Sequence, residues 1–336
     1  MNDVLDRAKT SRFGAPDFST VWIALALLIL GSLLFAPGTL SASGLLAMIP
    51  FASVLAIASI GQCLTIQSGG MDLSVAGSMS LAAAVVTTVA GGENGNLPVA
   101  VALALVAALL GGLLNGLAIT VLRIPPIVVT IAVNAILLGL VQSVSGGVLQ
   151  AVPSDLANFA GGTTLGIPRT VIIAVIFVVL AAFVINKSTA GRRLAAVGAR
   201  QASARAAGIA VTRYLIGAYT AAGLCFGCAG VILAGYLQTP STSMADTYLF
   251  STITAVIIGG TAFGGGRGRI VGTALGAVFV SQLNVFLTAT GAPSSVTYIV
   301  QAIAIAIAVV INNPSALSII RRQLFNNSSS QGRVSA

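Results

Sequence analysis

Acid–base chemistry has little to work with in this chain. Its 336 residues contain no histidine, and the seven carboxylates, Asp3, Asp6, Asp17, Asp72, Glu93, Asp155 and Asp246, are scattered along it. General acid–base catalysis and metal-assisted hydrolysis therefore lack their usual side chains. Cys225 and Cys228 spell C-x-x-C, but no second pair and no histidine accompany them, so with Cys63 they read as small buried hydrophobes. No paired nucleophile and base exists, so no catalytic residue and no metal ligand is assigned, and a non-enzymatic role is expected. The polar groups that remain are uncharged amides within apolar stretches: Gln62, Gln67, Asn115, Asn134, Gln142, Gln282, Asn284 and Gln301. Amides of this kind either line a path for a neutral polar solute or hydrogen-bond helices to one another.

The elements that must position these groups follow from composition. The chain is 57% hydrophobic and 7% charged, whereas soluble domains are roughly 45–50% apolar. So few charges cannot cover a body of this size in water, and the expected fold class is an all-α polytopic membrane protein. Ten apolar runs have about the length needed to cross roughly 30 Å of hydrocarbon. They cover residues 20–36, 45–66, 74–91, 97–121, 125–145, 169–186, 214–237, 247–263, 270–290 and 295–312. The eighth ends in a glycine cluster and reads as either a full crossing or a short re-entrant helix.

Charge placement orients the spans. With both termini inside, segments 1–19, 67–73, 122–124, 187–213, 264–269 and 313–336 are cytoplasmic and hold 15 of the 16 basic residues, leaving only Arg169 outside. The basic excess, net +9, is thus an orientation signal rather than a nucleic-acid footprint. No interleaved aromatic residues accompany the arginines of 187–213 as stacking platforms. Residues 1–19 form a cytoplasmic N-terminal segment whose following span is retained as a helix, 20–312 the transmembrane domain, and 313–336 a disordered cytoplasmic tail.

Four segments interrupt the spans. Gly69 and Gly70 free the backbone from helical geometry, and Asp72 with Ser74 reads as an N-cap of the next helix. This break is either a capped tight turn or part of a gate. Small residues at 108, 111, 112 and 116 permit close helix approach around Asn115, and Pro125-Pro126 opens the following helix. The largest cytoplasmic segment carries a short Ala-rich helix over 199–207, stopped by Gly208, with Arg200 and Arg205 at its edges. It is either a knob for a cytoplasmic partner or an ordinary basic loop. Finally, Gly259 to Arg269 is glycine-rich around Gly265 and Gly266, but no Gly-Lys-Ser/Thr follows and no strand precedes, so it is a sharp turn and not a P-loop.

Together these segments resemble the permease subunit of the ribose/monosaccharide family of bacterial ABC importers. The resemblance runs from about residue 44 to about 312. It rests on GGMDLSVAGSM at 69–79, LLNGLAITVLRIPPIVVT at 113–130, AVGARQASARAAGI at 196–209 and IIGGTAFGGGRGRIVGTALGA at 257–277. It implies a homodimeric permease in the bacterial inner membrane, a cytoplasmic ATP-binding subunit and a periplasmic sugar-binding protein, with no nucleic-acid partner. No cofactor would bind this chain, since ATP and Mg would be held by the ATPase. It also implies that segment 196–209, with Gly198, Arg200, Gln201, Ala204, Arg205 and Gly208, is the coupling helix. The sequence departs from the family at Leu138-Gly139, where many members carry Arg-Gly, and at Ala76, usually glycine. Spans two to five and seven to ten would form two units of opposite topology, as in alternating-access transporters. A secondary transporter coupled to an ion gradient is the alternative, with Asp72 as its sole candidate carboxylate.

Overall fold

The computed structural model describes residues 19–311. The N-terminal segment and the C-terminal tail expected at the ends lie outside them. The described chain is a helical bundle: α1 (Ser19–Phe35), α2 (Ala42–Gln67), α3 (Val75–Ala90), α4 (Leu97–Val121), α5 (Pro126–Ser145), α6 (Ser154–Gly161), α7 (Arg169–Lys187), α8 (Thr189–Ala199), α9 (Gln201–Ala206), α10 (Val211–Leu237), α11 (Tyr248–Ile258), α12 (Ile270–Ala289) and α13 (Ser294–Ile311). A two-stranded hairpin, Thr163–Thr164 with Ile167–Pro168, sits between α6 and α7. Leu165 and Gly166 both adopt positive φ at its tip, the geometry of a tight hairpin turn.

Among the described residues, six helices are long and apolar enough to cross a membrane: α2, α4, α5, α7, α10 and α12. The apolar helices α1, α3, α11 and α13 are shorter. The eighth expected span resolves into the short form. Helix α11 has 11 residues, a rise of about 16 Å, and it stops where Gly259 and Gly260 turn the chain. Apolar side chains dominate inside and out, as hydrocarbon surroundings require: Ile57, Met79 and Phe226 are fully buried, while Leu34, Phe183 and Val121 are largely exposed.

Helix α2, buried along most of its length, lies at the centre with α10. Neighbour relations in one half recur in the other. Helix α10 packs on α4 as α2 packs on α12, and α3 contacts α4 and α5 as α11 contacts α12 and α13. The α3–α10 contact is answered by α2–α11, and α2 and α10 touch each other between the two sets. The short helices α3 and α11 occupy equivalent places in this scheme.

Close crossings rest on small residues. A Cβ on Gly112 of α4 would collide with the Tyr219 carbonyl of α10, and one on Gly223 of α10 would collide with the Ala108 carbonyl of α4. Backbones in such contact gain dispersion energy that larger side chains would forfeit in lipid.

Candidate functional site

All four interrupted segments meet at the same end of the bundle. The first is the break between α2 and α3. After Gln67 the chain leaves the helix with Gly69 at φ +92. Asp72, fully buried, accepts from the backbone N–H and the hydroxyl of Ser74 through Oδ1, at 2.9 and 2.6 Å. The expected capping role needs correcting here. Ser74, not Asp72, is the residue that precedes α3, and its side chain makes no cap bond. Asp72 instead closes a turn two residues long, the local bond that short acidic side chains favour.

The second segment, in α4, reaches this turn through Asn115. Its Nδ2 donates to Ser74 Oγ at 2.8 Å and to both Asp72 carboxylate oxygens at 3.3 Å. A neutral amide and a hydroxyl thus share the solvation of a buried carboxylate, which would otherwise be costly. The Pro125-Pro126 corner closes on the same break. A Cβ on Gly70 would collide with the Tyr219 hydroxyl and press on the Pro126 ring at 3.2 Å. Asn134 of α5 accepts from the Gly77 N–H of α3 at 2.8 Å.

The third segment is a helix–helix corner. Ser188 caps α8, accepting from the Gly191 N–H at 3.1 Å, and α9 follows after Arg200 adopts an extended conformation. Gly208 at φ +76 ends it, with Gly208 and Ile209 donating to the Arg205 and Ala204 carbonyls. Arg200, Gln201, Arg205 and Gly208 are exposed, whereas Ala204 is buried among Val197, Val211 and Leu215. Gly198 is half-buried and faces the bundle. Of the six coupling residues proposed from sequence, four therefore present an outward surface and two hold the corner in place.

The fourth segment, 259–269, supplies the floor. Thr261 accepts from the Arg269 N–H at 3.1 Å, and Ala262 N–H donates to the Arg267 carbonyl, so the glycines form a compact turn. Gly266 N–H donates to the Gln67 carbonyl at 2.8 Å. Between the first, second and third segments opens a cavity of about 770 Å³ whose lining includes Gly70, Thr120, Arg123, Pro126, Gln201 and Arg205.

The amides separate into three groups. Asn115, Asn134, Gln282, Asn284 and Gln301 join helices: Gln282 Nε2 donates to Ser32 and Thr39, and Gln301 Nε2 to Ser251 and Asn284. Gln62 and Gln67 are buried, with neither Gln62 side-chain atom nor Gln67 Oε1 hydrogen-bonded. Gln142 is exposed. Asn284 also borders a cavity of about 410 Å³ with Met48, Phe51 and Ser281. Sequence reasoning missed Tyr219, Gly223 and Gly227 of α10, although Gly223-x-x-x-Gly227 is itself a close-packing signal.

Comparison with known proteins matches the sequence to a family. The family described as "Branched-chain amino acid transport system / permease component" matches residues 44–309. The ribose import permease of Escherichia coli K12 is 32% identical over 309 residues, covering 88% of this chain and 96% of its own length. The galactofuranose transporter permease of the same organism is 31% identical over 274 residues, 80% of each chain. The Bacillus subtilis ribose import permease is 31% identical over 295 residues, 87% of this chain and 91% of its own. No solved structure matches the chain. A glycine-broken helix, an exposed corner helix and a close-packed apolar bundle are thus the framework of a transport subunit, and the chain belongs to this family of membrane permease components.

Proposed function

We propose that this chain is the membrane subunit of an ATP-driven importer, carrying a monosaccharide or similar small polar solute delivered by a periplasmic binding protein. The observation that carries the reading is the convergence of all four interrupted segments on one end of the bundle, with Arg200, Gln201 and Arg205 of the α8–α9 corner exposed beside them. The engine in this reading lies in a separate chain and needs such a protrusion to push on. In this reading the end is cytoplasmic, two copies form the pathway in the inner membrane, and an ATPase holding ATP and Mg docks on α9. The recurring neighbour relations support two inverted halves that rock against each other.

The substrate class rests on chemistry as well as on relatives. The family description names branched-chain amino acids, while the relatives named above import ribose or galactofuranose. A zwitterion needs charged partners in its path, whereas the buried polar groups here are amides and hydroxyls. Asp72 is the exception, and it is bound into the Ser74–Asn115 turn. A neutral sugar suits such a path better. The same engagement counts against Asp72 as a coupling-ion site.

Reconstitution decides between the readings. Proteoliposomes holding this chain, its ATPase and its binding protein are expected to accumulate radiolabelled ribose only with ATP inside the compartment of the ATPase. Accumulation by this chain alone, driven by a proton or sodium gradient, overturns the proposal.

A further inference from the structure

The corner helix, the break after α2 and the glycine turn before α12 touch without any side chain between them. Gly198, next to last in α8, lies on the bond from Gly266 N–H to the Gln67 carbonyl. A Cβ there would collide with the Gln67 oxygen and stand 2.7 Å from Gly266 N. On the other side, a Cβ on Gly265 would stand 2.7 Å from the Gly198 carbonyl and 2.9 Å from Gly69 Cα. A Cβ on Gly266 would lie 2.9 Å from Ala199. Gly69, Gly265 and Gly266 all have positive φ, so side-chain-bearing residues would be strained there even with space.

The three strands of this contact belong to different mechanical parts. Gln67 ends α2 and leads through the Gly69–Gly70 break into α3, which packs with α4, α5 and α10, whereas Gly265 and Gly266 connect α11 to α12, which pack with α2 and α13, and Gly198 is next to last in the helix that leads to the exposed corner. Backbone pressed on backbone has no rotamer to yield, so displacement of one strand must move the others or break the hydrogen bond. The α9 corner is also held by Ala204 and Val197 against Val211 and Leu215 at the start of α10, a contact made by side chains rather than by backbone.

We propose that Gly198, Gln67 and Gly266 are the positioning residues of transport coupling: motion of the corner segment reaches both helix sets through this backbone contact. The inference rests on the ATP-driven reading above and specifies where the force crosses. It makes the close approach, rather than the outward surface, the function of Gly198. Filling the contact should therefore separate ATP hydrolysis from solute movement, which loss of docking or of folding would not do.

The test uses the complete transporter in proteoliposomes and reads ribose imported per ATP hydrolysed, with the ATPase rate recorded alongside. Gly198→Ala is expected to keep hydrolysis while the ratio falls about tenfold or more, because a shift of about 1 Å suffices to misplace linked parts. Gly268→Ala is the milder variant. Its Cβ would meet the Gln67 side chain, 2.8 Å from Cδ and 3.3 Å from Cβ, pressing on the residue whose carbonyl Gly266 binds. Its ratio is expected to fall and to return in Gln67→Ala/Gly268→Ala, whereas Gly217→Ala, with nothing within 4 Å, keeps the wild-type ratio. A wild-type ratio in Gly198→Ala overturns the inference. If that variant fails to assemble, the Gly268→Ala pair decides: a fall with rescue supports the inference, and a wild-type ratio or a fall without rescue overturns it. Wild-type uptake indifferent to ATP overturns the functional reading itself and the inference with it.

Discussion

At the scale of single residues, the Asp72–Ser74–Asn115 group shows how a charge survives at a buried helix break. Every donor recorded on the carboxylate is neutral, so its stability depends on the number and placement of hydrogen bonds. Asn115→Leu removes the amide from both carboxylate oxygens and is expected to cost about 1–3 kcal/mol, seen as a lower Tm in detergent. Once that amide is gone, adding Asp72→Ala should cost little more, because the two residues act as a unit. Additive losses would show that they act separately. The presence of a buried polar turn was legible from Gly69, Gly70 and Asp72. Its bonding was not, because Asn115 lies 43 positions away, and only folding brings α4 beside it.

At the scale of elements, the α4–α10 crossing is one of the close backbone joints of the bundle. Gly112→Ala or Gly223→Ala forces overpacking against backbone, expected to cost about 1–3 kcal/mol in detergent unfolding. Gly217→Ala, on an exposed position of the same helix, should be neutral or slightly stabilising through helix propensity. The corner element has a different vulnerability. Arg200→Glu/Arg205→Glu reverses charge on exposed positions and is expected to abolish co-purification with the ATPase while Tm stays unchanged. Retained co-purification would move the docking surface elsewhere. The sequence located most helix ends within a few residues, since Pro126 and Gly208 are strong boundary signals. It left the eighth span undecided because apolar composition continues to Ile258 and beyond while the backbone turns at the glycines.

At the scale of the whole molecule, the paired neighbour relations of two four-helix sets and the gathering at one end of the basic segments among the described residues describe a polarised machine. Its orientation is checked by cysteine labelling with a membrane-impermeant maleimide. Leu165→Cys, at the fully exposed hairpin tip, is expected to react in intact spheroplasts, and Ala207→Cys only after permeabilisation. The reverse pattern would invert the topology and remove the docking assignment. Native Cys63 and Cys225 are buried and Cys228 is half-buried within α10, so a low background is expected.

Composition and periodicity by themselves determined that this is a helical membrane protein, where its helices run and which segments break them, because hydrocarbon imposes a length and a polarity that a linear chain must display. Charge counting likewise suggested which segments share a side. What only the tertiary structure decided is contact across long separations: that Gly198 lies on Gln67 and Gly266, that Asn115 serves Asp72, and that Gln282 and Gln301 join helices. Glycines and amides are ambiguous in sequence because their meaning is set by the neighbour. A missing side chain is a flexible link where space is open and a rigid joint where another backbone fills the gap.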